Sequence, residues 1–430
     1  MSKKDVNTNN QQVEQGGAYE HAFSSVPESA RKSLLSLTVV LAGYPIALSN
    51  FVIGGSVGVH MNFSEAVTAL IVGNLVLIAV VIITGLAAFK TGLSTSFLSR
   101  HAFGKKGSAV FSGLLILSSI TWVSMNGDIF ARLIKTTFSW WPIPIAITAV
   151  LCIALWTLSA VRGYKGLEFI SYLGVPAALI LSVVGVVAAL RSGSGFEAIK
   201  AYVPSETMTF SAATSSIVGG WVFGATITPD VCRFGKSKRD VVIAGLASFI
   251  VGCFGLQFAG MLVALSTGEG DFTKAMASLG LSLVAFFAAI FCLWTTQDNN
   301  IYGASLATQN ILNETKHKGK VPHSTIALTV AGIAAVLAAL GIFNFILPII
   351  QFLSILIPPV PGLIIAEMYI IKRDNSDRKI NPIAIISWIL AGVCSYIALR
   401  TNFFVPALIG IFTSIIFYVV FTKLFDKKTA

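Results

Sequence analysis

Charge is scarce in this sequence. Only 11% of its 430 residues are Asp, Glu, Lys or Arg, against 55% hydrophobic, a balance that no ordinary soluble domain shows. Cysteine and histidine are scarce too, with five of each. Cys152, Cys232, Cys253, Cys292 and Cys394 lack metal-ligand spacing and do not read as a disulfide framework. His21, His60, His101, His317 and His323 fall in loops or at the ends of apolar runs. No nucleophile-base-acid arrangement, phosphate loop or metal cluster is visible, so an enzyme is not expected and neither is a cofactor. Residues 1–30 are rich in Asn, Gln, Glu and Ser and lack the apolar core of a signal peptide; they read as a disordered tail.

What is abundant is apolar sequence in long runs. Stretches able to cross roughly 30 Å of hydrocarbon lie at 33–53, 64–89, 108–136, 142–161, 167–190, 211–229, 241–267, 280–306, 324–342, 345–371, 383–399 and 404–425. They predict an all-α polytopic membrane protein with twelve spans. The formal charge of +11 raises the question of a nucleic-acid surface. With the N-terminus placed in the cytoplasm, only Arg132, Lys135, Arg191, Lys200, Lys274 and Arg400 fall outside, which leaves 24 of the 30 Lys and Arg inside. That bias is the positive-inside signature. The expected partners are therefore a bilayer and a small solute, not nucleic acid, with both termini cytoplasmic and the chain in the inner membrane.

Two of the runs are broken near their middles. The first reads Gly43-Tyr44-Pro45, and the sixth contains Gly219-Gly220-Trp221-Val222-Phe223-Gly224. Proline and glycine at mid-membrane depth free backbone groups that hydrocarbon cannot satisfy. Such a pair in corresponding halves of a bundle is the best sequence pointer to a transporter's binding site. Discontinuous helices 1 and 6 are expected. In span 10, Ile357-Pro358-Pro359-Val360-Pro361-Gly362 cannot form a regular helix either, and a gate is one use for such a kink.

Polar and aromatic groups gather in three further places. Ser119, Trp122 and Asn126 share one face of span 3, offering an indole for stacking beside an amide that both donates and accepts. Ordinary packing with an interhelical bond is the competing reading. Trp221 follows Gly220, where unwound backbone would present carbonyls and amides to a ligand, although glycines also serve close helix packing. Span 8 carries Thr295-Thr296-Gln297-Asp298-Asn299-Asn300, and its hydroxyls with nearby carbonyls suit a dehydrated Na+ better than a proton. Charged residues inside spans are few; Asp128, Asp298 and Glu367 stand out among them and are functional candidates by default. Pairing with loop Arg or Lys is the expected role for the last two.

Several motifs resemble the nucleobase-cation symport family, which includes cytosine permeases and hydantoin transporters. They are Lys90-Thr91-Gly92-Leu93-Ser94 through Arg100-His101-Ala102-Phe103-Gly104 before span 3, and Thr228-Pro229-Asp230-Val231-Cys232-Arg233-Phe234-Gly235 after span 6. Leu293-Trp294-Thr295-Thr296-Gln297-Asp298-Asn299 in span 8, and Val26-Pro27 with Arg31-Lys32 before span 1, complete the set, and the similarity runs from about 26 to 425. The resemblance implies a five-plus-five inverted repeat followed by two C-terminal helices, with boundaries near 31–190, 205–375 and 380–430. It implies that Trp122 and Trp221 sandwich a planar ring while Asn126 and Gln297 read its edge. Ser119 stands where cytosine permeases carry a glutamine, and its short side chain puts cytosine itself in doubt. The implied sodium ligands are carbonyls of Gly43 and Ile46 with Cys292, Thr295 and Thr296. The expectation is uptake of a nucleobase or related heterocycle by alternating access, coupled to Na+, with H+ as the other possibility. The alternatives are an H+-coupled carrier of a cationic heterocycle, such as a thiamine-type pyrimidine or an amine, and a passive channel or facilitator.

Overall fold

The computed structural model describes residues 20–22, 24–192, 195–341, 346–373 and 375–425. Residues 1–19 and 426–430, parts of the expected tail and C-terminus, lie outside the described residues, as do 342–345 at the start of the expected tenth run. Among the described residues, eight helices are long and apolar enough to cross a membrane: Phe63–Thr91, Ser108–Thr137, Tyr164–Arg191, Phe210–Cys232, Lys238–Thr267, Gln351–Ile371, Pro382–Arg400 and Pro406–Phe425. They take the places of spans 2, 3, 5, 6, 7, 10, 11 and 12. Leu34–Gly43 (1a) and Leu48–Val59 (1b) form a ninth if their 62° bend is counted within one span. The expected spans 4 and 9 are the shorter apolar helices Ile145–Ala160 and His323–Ala339. Span 8 is Ser282–Leu312, 31 residues that include the polar run.

The break in span 1 has a local cause. Pro45 supplies no N–H, Ala47 sits in extended backbone (φ −137°, ψ 148°), and the helical ladder cannot pass through. The carbonyl freed at Pro45 accepts a hydrogen bond from Asn50 Nδ2 at 2.5 Å. Asn50 Oδ1 in turn accepts from Gln257 Nε2 of span 7 (2.8 Å), and Gln257 Oε1 accepts from Asn74 Nδ2 of span 2 (2.6 Å). A chain of buried amides thus satisfies the opened backbone where no water would.

Span 6 departs from the expectation in position. Its helix Phe210–Ile227 runs straight through Gly219 and Gly220, and the interruption comes at Thr228, before the short helix Pro229–Cys232. Glycine makes a break cheap without requiring one, whereas Pro229 removes a donor. The irregularity expected in span 10 is present as an interruption: one helix ends at Leu356 and the next begins at Pro359.

The packing carries a hidden exchange symmetry. Span 1 packs on span 7 and span 6 on span 2; span 1 packs on span 5 and span 6 on span 10. Span 5 meets spans 7 and 8, and span 10 meets spans 2 and 3. Replacing each span n by n+5 therefore maps contacts onto contacts. Because a repeat of five crossings ends on the opposite side of the membrane from where it began, the second copy enters inverted. Spans 11 and 12 pair with each other, and span 12 also packs on span 10.

The segment expected to be unstructured to residue 30 is ordered where it is described. Arg233, fully buried, donates to the carbonyls of Glu20 (2.7 Å) and His21 (3.1 Å) and to the Tyr302 hydroxyl (3.1 Å). Further along, Val26 N–H donates to Gly92 O and Lys32 N–H to Phe234 O. Burial, and then the Arg233 guanidinium, lower the His21 pKa from its ordinary value, so the imidazole stays neutral beside that cation. The chain before span 1 is a strap tying together the ends of spans 2 and 6 and the middle of span 8.

Candidate functional site

Spans 1, 3, 6 and 8 enclose a cavity at the break in span 1. Its walls are Tyr44, Ala47 and Ser49 from span 1, Trp122 and Asn126 from span 3, Gly220, Trp221, Phe223, Gly224 and Ile227 from span 6, and Thr296, Gln297 and Asn300 from span 8. Its volume is about 40 Å³. On that measure a water needs about 10–15 Å³, so the space as it stands holds a few waters and not a flat ring. A smaller space beside it shares Trp122 and Phe223 and reaches Ile357 at the span 10 interruption.

Of the residues expected to hold a ring, the cavity gathers Trp122, Trp221, Asn126, Gly220 and Gln297. Asn126 Nδ2 donates to Trp122 O at 2.8 Å, which fixes the amide's orientation. Trp221 is held by its own helix: a Cβ at Gly224 would come within 2.7 Å of the indole. Gln297 Oε1 accepts from Asn300 Nδ2 at 3.3 Å. Ser119 is buried at 1% exposure and is not on the cavity wall. Tyr44, Ser49, Phe223 and Asn300 were not singled out in the sequence, and Tyr44 had a signal in its place inside the break itself.

The expected cation ligands form two groups, one about Thr295 and one about Thr296. Thr296 Oγ1 lies 2.9 Å from Ile46 O and 2.9 Å from Cys292 O. Thr295 Oγ1 lies 3.0 Å from Ser171 Oγ of span 5, a residue the sequence did not flag. Gly43 completes the cradle, because any Cβ there would collide with Thr295 Oγ1 and Ser171 Oγ. Carbonyl and hydroxyl oxygens without a carboxylate are the donor chemistry of a monovalent hard cation. Among the described residues there is no group of three or more His, Cys, Asp or Glu that would hold a divalent metal.

The ionisable candidates lie elsewhere. Asp128 pairs with Arg132 on its own helix at 2.6 Å. Glu367 is held by Arg373 (3.4 Å), Asn375 (2.9 Å) and Tyr418 (2.7 Å), the loop pairing expected of it. Asp298 departs from that expectation. Its Oδ2 accepts from Ser159 Oγ of span 4 at 2.8 Å, and Trp294 Nε1 donates to the same hydroxyl at 2.9 Å. It sits mid-helix, facing span 4 rather than a basic loop. Asp230, in the motif after span 6, accepts from Thr95 N–H at 2.7 Å and pins the loop before span 3.

A family profile described as permease for cytosine/purines, uracil, thiamine, allantoin matches residues 25–417. The chain is similar to the cytosine permease of Escherichia coli strain K12, 28% identical over 408 residues covering 94% of each. Among solved structures it is similar to Mhp1, a nucleobase-cation-symport-1 family transporter in a closed conformation with bromovinylhydantoin bound (TM-score 0.76, 15% identity, 95% of each chain). It is also similar to a Na+-coupled sialic acid symporter in a substrate-bound outward-open state (TM-score 0.71, 12% identity, 97% of this chain and 95% of that one). At such identities the likeness shows the fold: an all-α membrane bundle built on a five-plus-five inverted repeat.

Proposed function

Since this chain belongs to the family of permeases for cytosine/purines, uracil, thiamine and allantoin, we propose that it imports a planar heterocycle by symport with Na+, through alternating access in the inner membrane with both termini cytoplasmic. The observation that carries this reading is the double use of Thr296. It lines the cavity with Trp122 and Trp221, and its hydroxyl touches Ile46 O at the break of span 1. A cation held by Gly43, Ile46, Cys292, Thr295 and Thr296 joins span 1 to span 8 beside the cavity that takes the ring. Each ligand then finds the other's wall already ordered, and an ion couples to a solute only through such differential affinity. Trp122 and Trp221 supply stacking faces, on the scale of about 1–3 kcal/mol per base for aromatic platforms, while Asn126 and Gln297 orient the ring's edge. The repeats supply two packed bodies able to rock about the site.

The test is a thermal-shift screen of the purified protein against nucleobases, hydantoins and pyrimidine vitamins, each in Na+ and in K+. A ring that stabilises only in Na+ supports coupled binding. Stabilisation regardless of Na+ points to a proton-coupled or uncoupled carrier. Uptake into proteoliposomes that concentrates the solute and collapses with the Na+ gradient separates symport from a passive channel.

A further inference from the structure

Two helices lose regularity against each other. Span 1 breaks at Pro45, and beside it residues Ile250–Gly255 of span 7 form a π-helical segment, a rare geometry that gathers at functional sites. Gly252 lets the two touch, since a Cβ there would come within 2.5 Å of Pro45 Cγ. One side chain serves both. Asn50, 0% exposed, donates through Nδ2 to Pro45 O at 2.5 Å and to Gly252 O at 3.3 Å. Both partners are carbonyls, so the amide can present only its NH2 to them, and its oxygen turns to Gln257. Gln257 must then donate, at 2.8 Å, and its own oxygen accepts from Asn74 Nδ2 at 2.6 Å. The buried amides of spans 1, 7 and 2 thus share one mutually consistent orientation, dictated by the carbonyl at Pro45.

That carbonyl closes a turn. Ala47 N–H donates to Pro45 O at 2.9 Å, a three-residue turn with Ile46 at its centre. The Ile46 N–H is engaged as well, with Ala42 O at 3.2 Å. The Ile46 carbonyl lies outside the turn, and Thr296 Oγ1 donates to it at 2.9 Å. Resting on the Na+ symport reading above, we infer that Asn50 is a positioning residue for the cation, held in its turn by Gln257 and Asn74. By clamping the oxygen on which the turn closes, the amide fixes where the Ile46 carbonyl points, although none of the three amides is itself a proposed cation ligand. Unwound backbone has no helical ladder to aim its carbonyls, so the aim must come from side chains around it. Removing partners that orient metal ligands typically costs about 10–100-fold in metal affinity.

The experiment uses Na+ alone as the probe. The Na+ midpoint of the purified full chain is read from its thermal shift, and Tm in K+ reports the stability of the fold. Asn50→Ala should raise the Na+ midpoint about tenfold or more. Gln257→Met keeps the length of the side chain and removes both amide bonds; it should raise the midpoint about three- to tenfold, and it decides the matter if Asn50→Ala does not fold. Asn381→Ala is the control for loss of a buried amide alone. Asn381 is also 0% exposed and donates to Ala102 O (2.7 Å) and Tyr418 Oη (2.8 Å), between the loop before span 3 and span 12. That variant should lower Tm in K+ and leave the Na+ midpoint unchanged. Midpoints unmoved in both Asn50→Ala and Gln257→Met, or moved as far by Asn381→Ala, overturn the inference and leave the symport reading standing. An unmodified chain without any Na+ response overturns both.

Discussion

The wall proposed to bind the ring and the oxygen cluster proposed to bind the cation adjoin at Thr296, yet they are satisfied in opposite ways. On the cation side each hydroxyl already has oxygen neighbours, Thr296 with Ile46 O and Cys292 O and Thr295 with Ser171. On the ring side, Tyr44, Trp221 and Gln297 hold polar atoms without partners. The first half is preorganised and closed on itself, so an ion must displace internal contacts that are cheap to remake. The second half gains from whatever fills it. Such a division lets the ion set the geometry and the ring complete it, and the two halves should therefore fail separately when altered one at a time.

The largest expected effect comes from filling the cradle. Gly43→Ala places a methyl group against Thr295 Oγ1 and Ser171 Oγ, an overpacking of a kind that costs about 1–3 kcal/mol, added to the displacement of the carbonyl proposed as a cation ligand. The apparent Na+ affinity should fall on the order of 100-fold or more, read as loss of the Na+-induced thermal shift, with ring binding surviving only at high Na+. An unchanged Na+ response would move the cation away from span 1.

Next in size is the stacking face. Trp122→Ala removes one platform and should weaken ring binding on the order of 10- to 100-fold, from stacking of about 1–3 kcal/mol, while the Na+ shift in the absence of ring stays within about twofold of its original midpoint. Simultaneous loss of both would merge the two halves into one site.

The same contrast explains what the sequence disclosed. Apolar length and the Gly43-Tyr44-Pro45 interruption are local properties, so the spans and the break of span 1 were legible residue by residue. Gly219-Gly220 was misread as a break because glycine permits disorder of the ladder without compelling it; the helix persists through both, and Pro229 decides the end. Asp298 was assigned a basic partner on chain position alone, whereas its neighbour is a serine 139 positions away. Ser171 and the Asn50-Gln257-Asn74 amides were invisible for a related reason: each gains meaning only from a helix that packing brings alongside. The N-terminal strap looked like tail because its bonds are made by backbone carbonyls to Arg233, and composition does not register backbone carbonyls.

The smallest expected effect tests the edge of the comparison. Asp128 was a candidate because carboxylates inside spans are costly, and it lies on the same helix as Trp122 and Asn126. Its geometry places it with Arg132, one turn further along at 2.6 Å, where the arginine side chain is 54% exposed. An ion pair open to solvent on one side contributes about 0–1 kcal/mol. Asp128→Asn keeps the shape and most of the hydrogen bonding, so ring affinity and Na+ midpoint should each stay within about twofold. A tenfold loss of either would mean that the carboxylate reaches the site in another state of the transport cycle, and the division between a ring wall and an oxygen cradle would then need a charged third member.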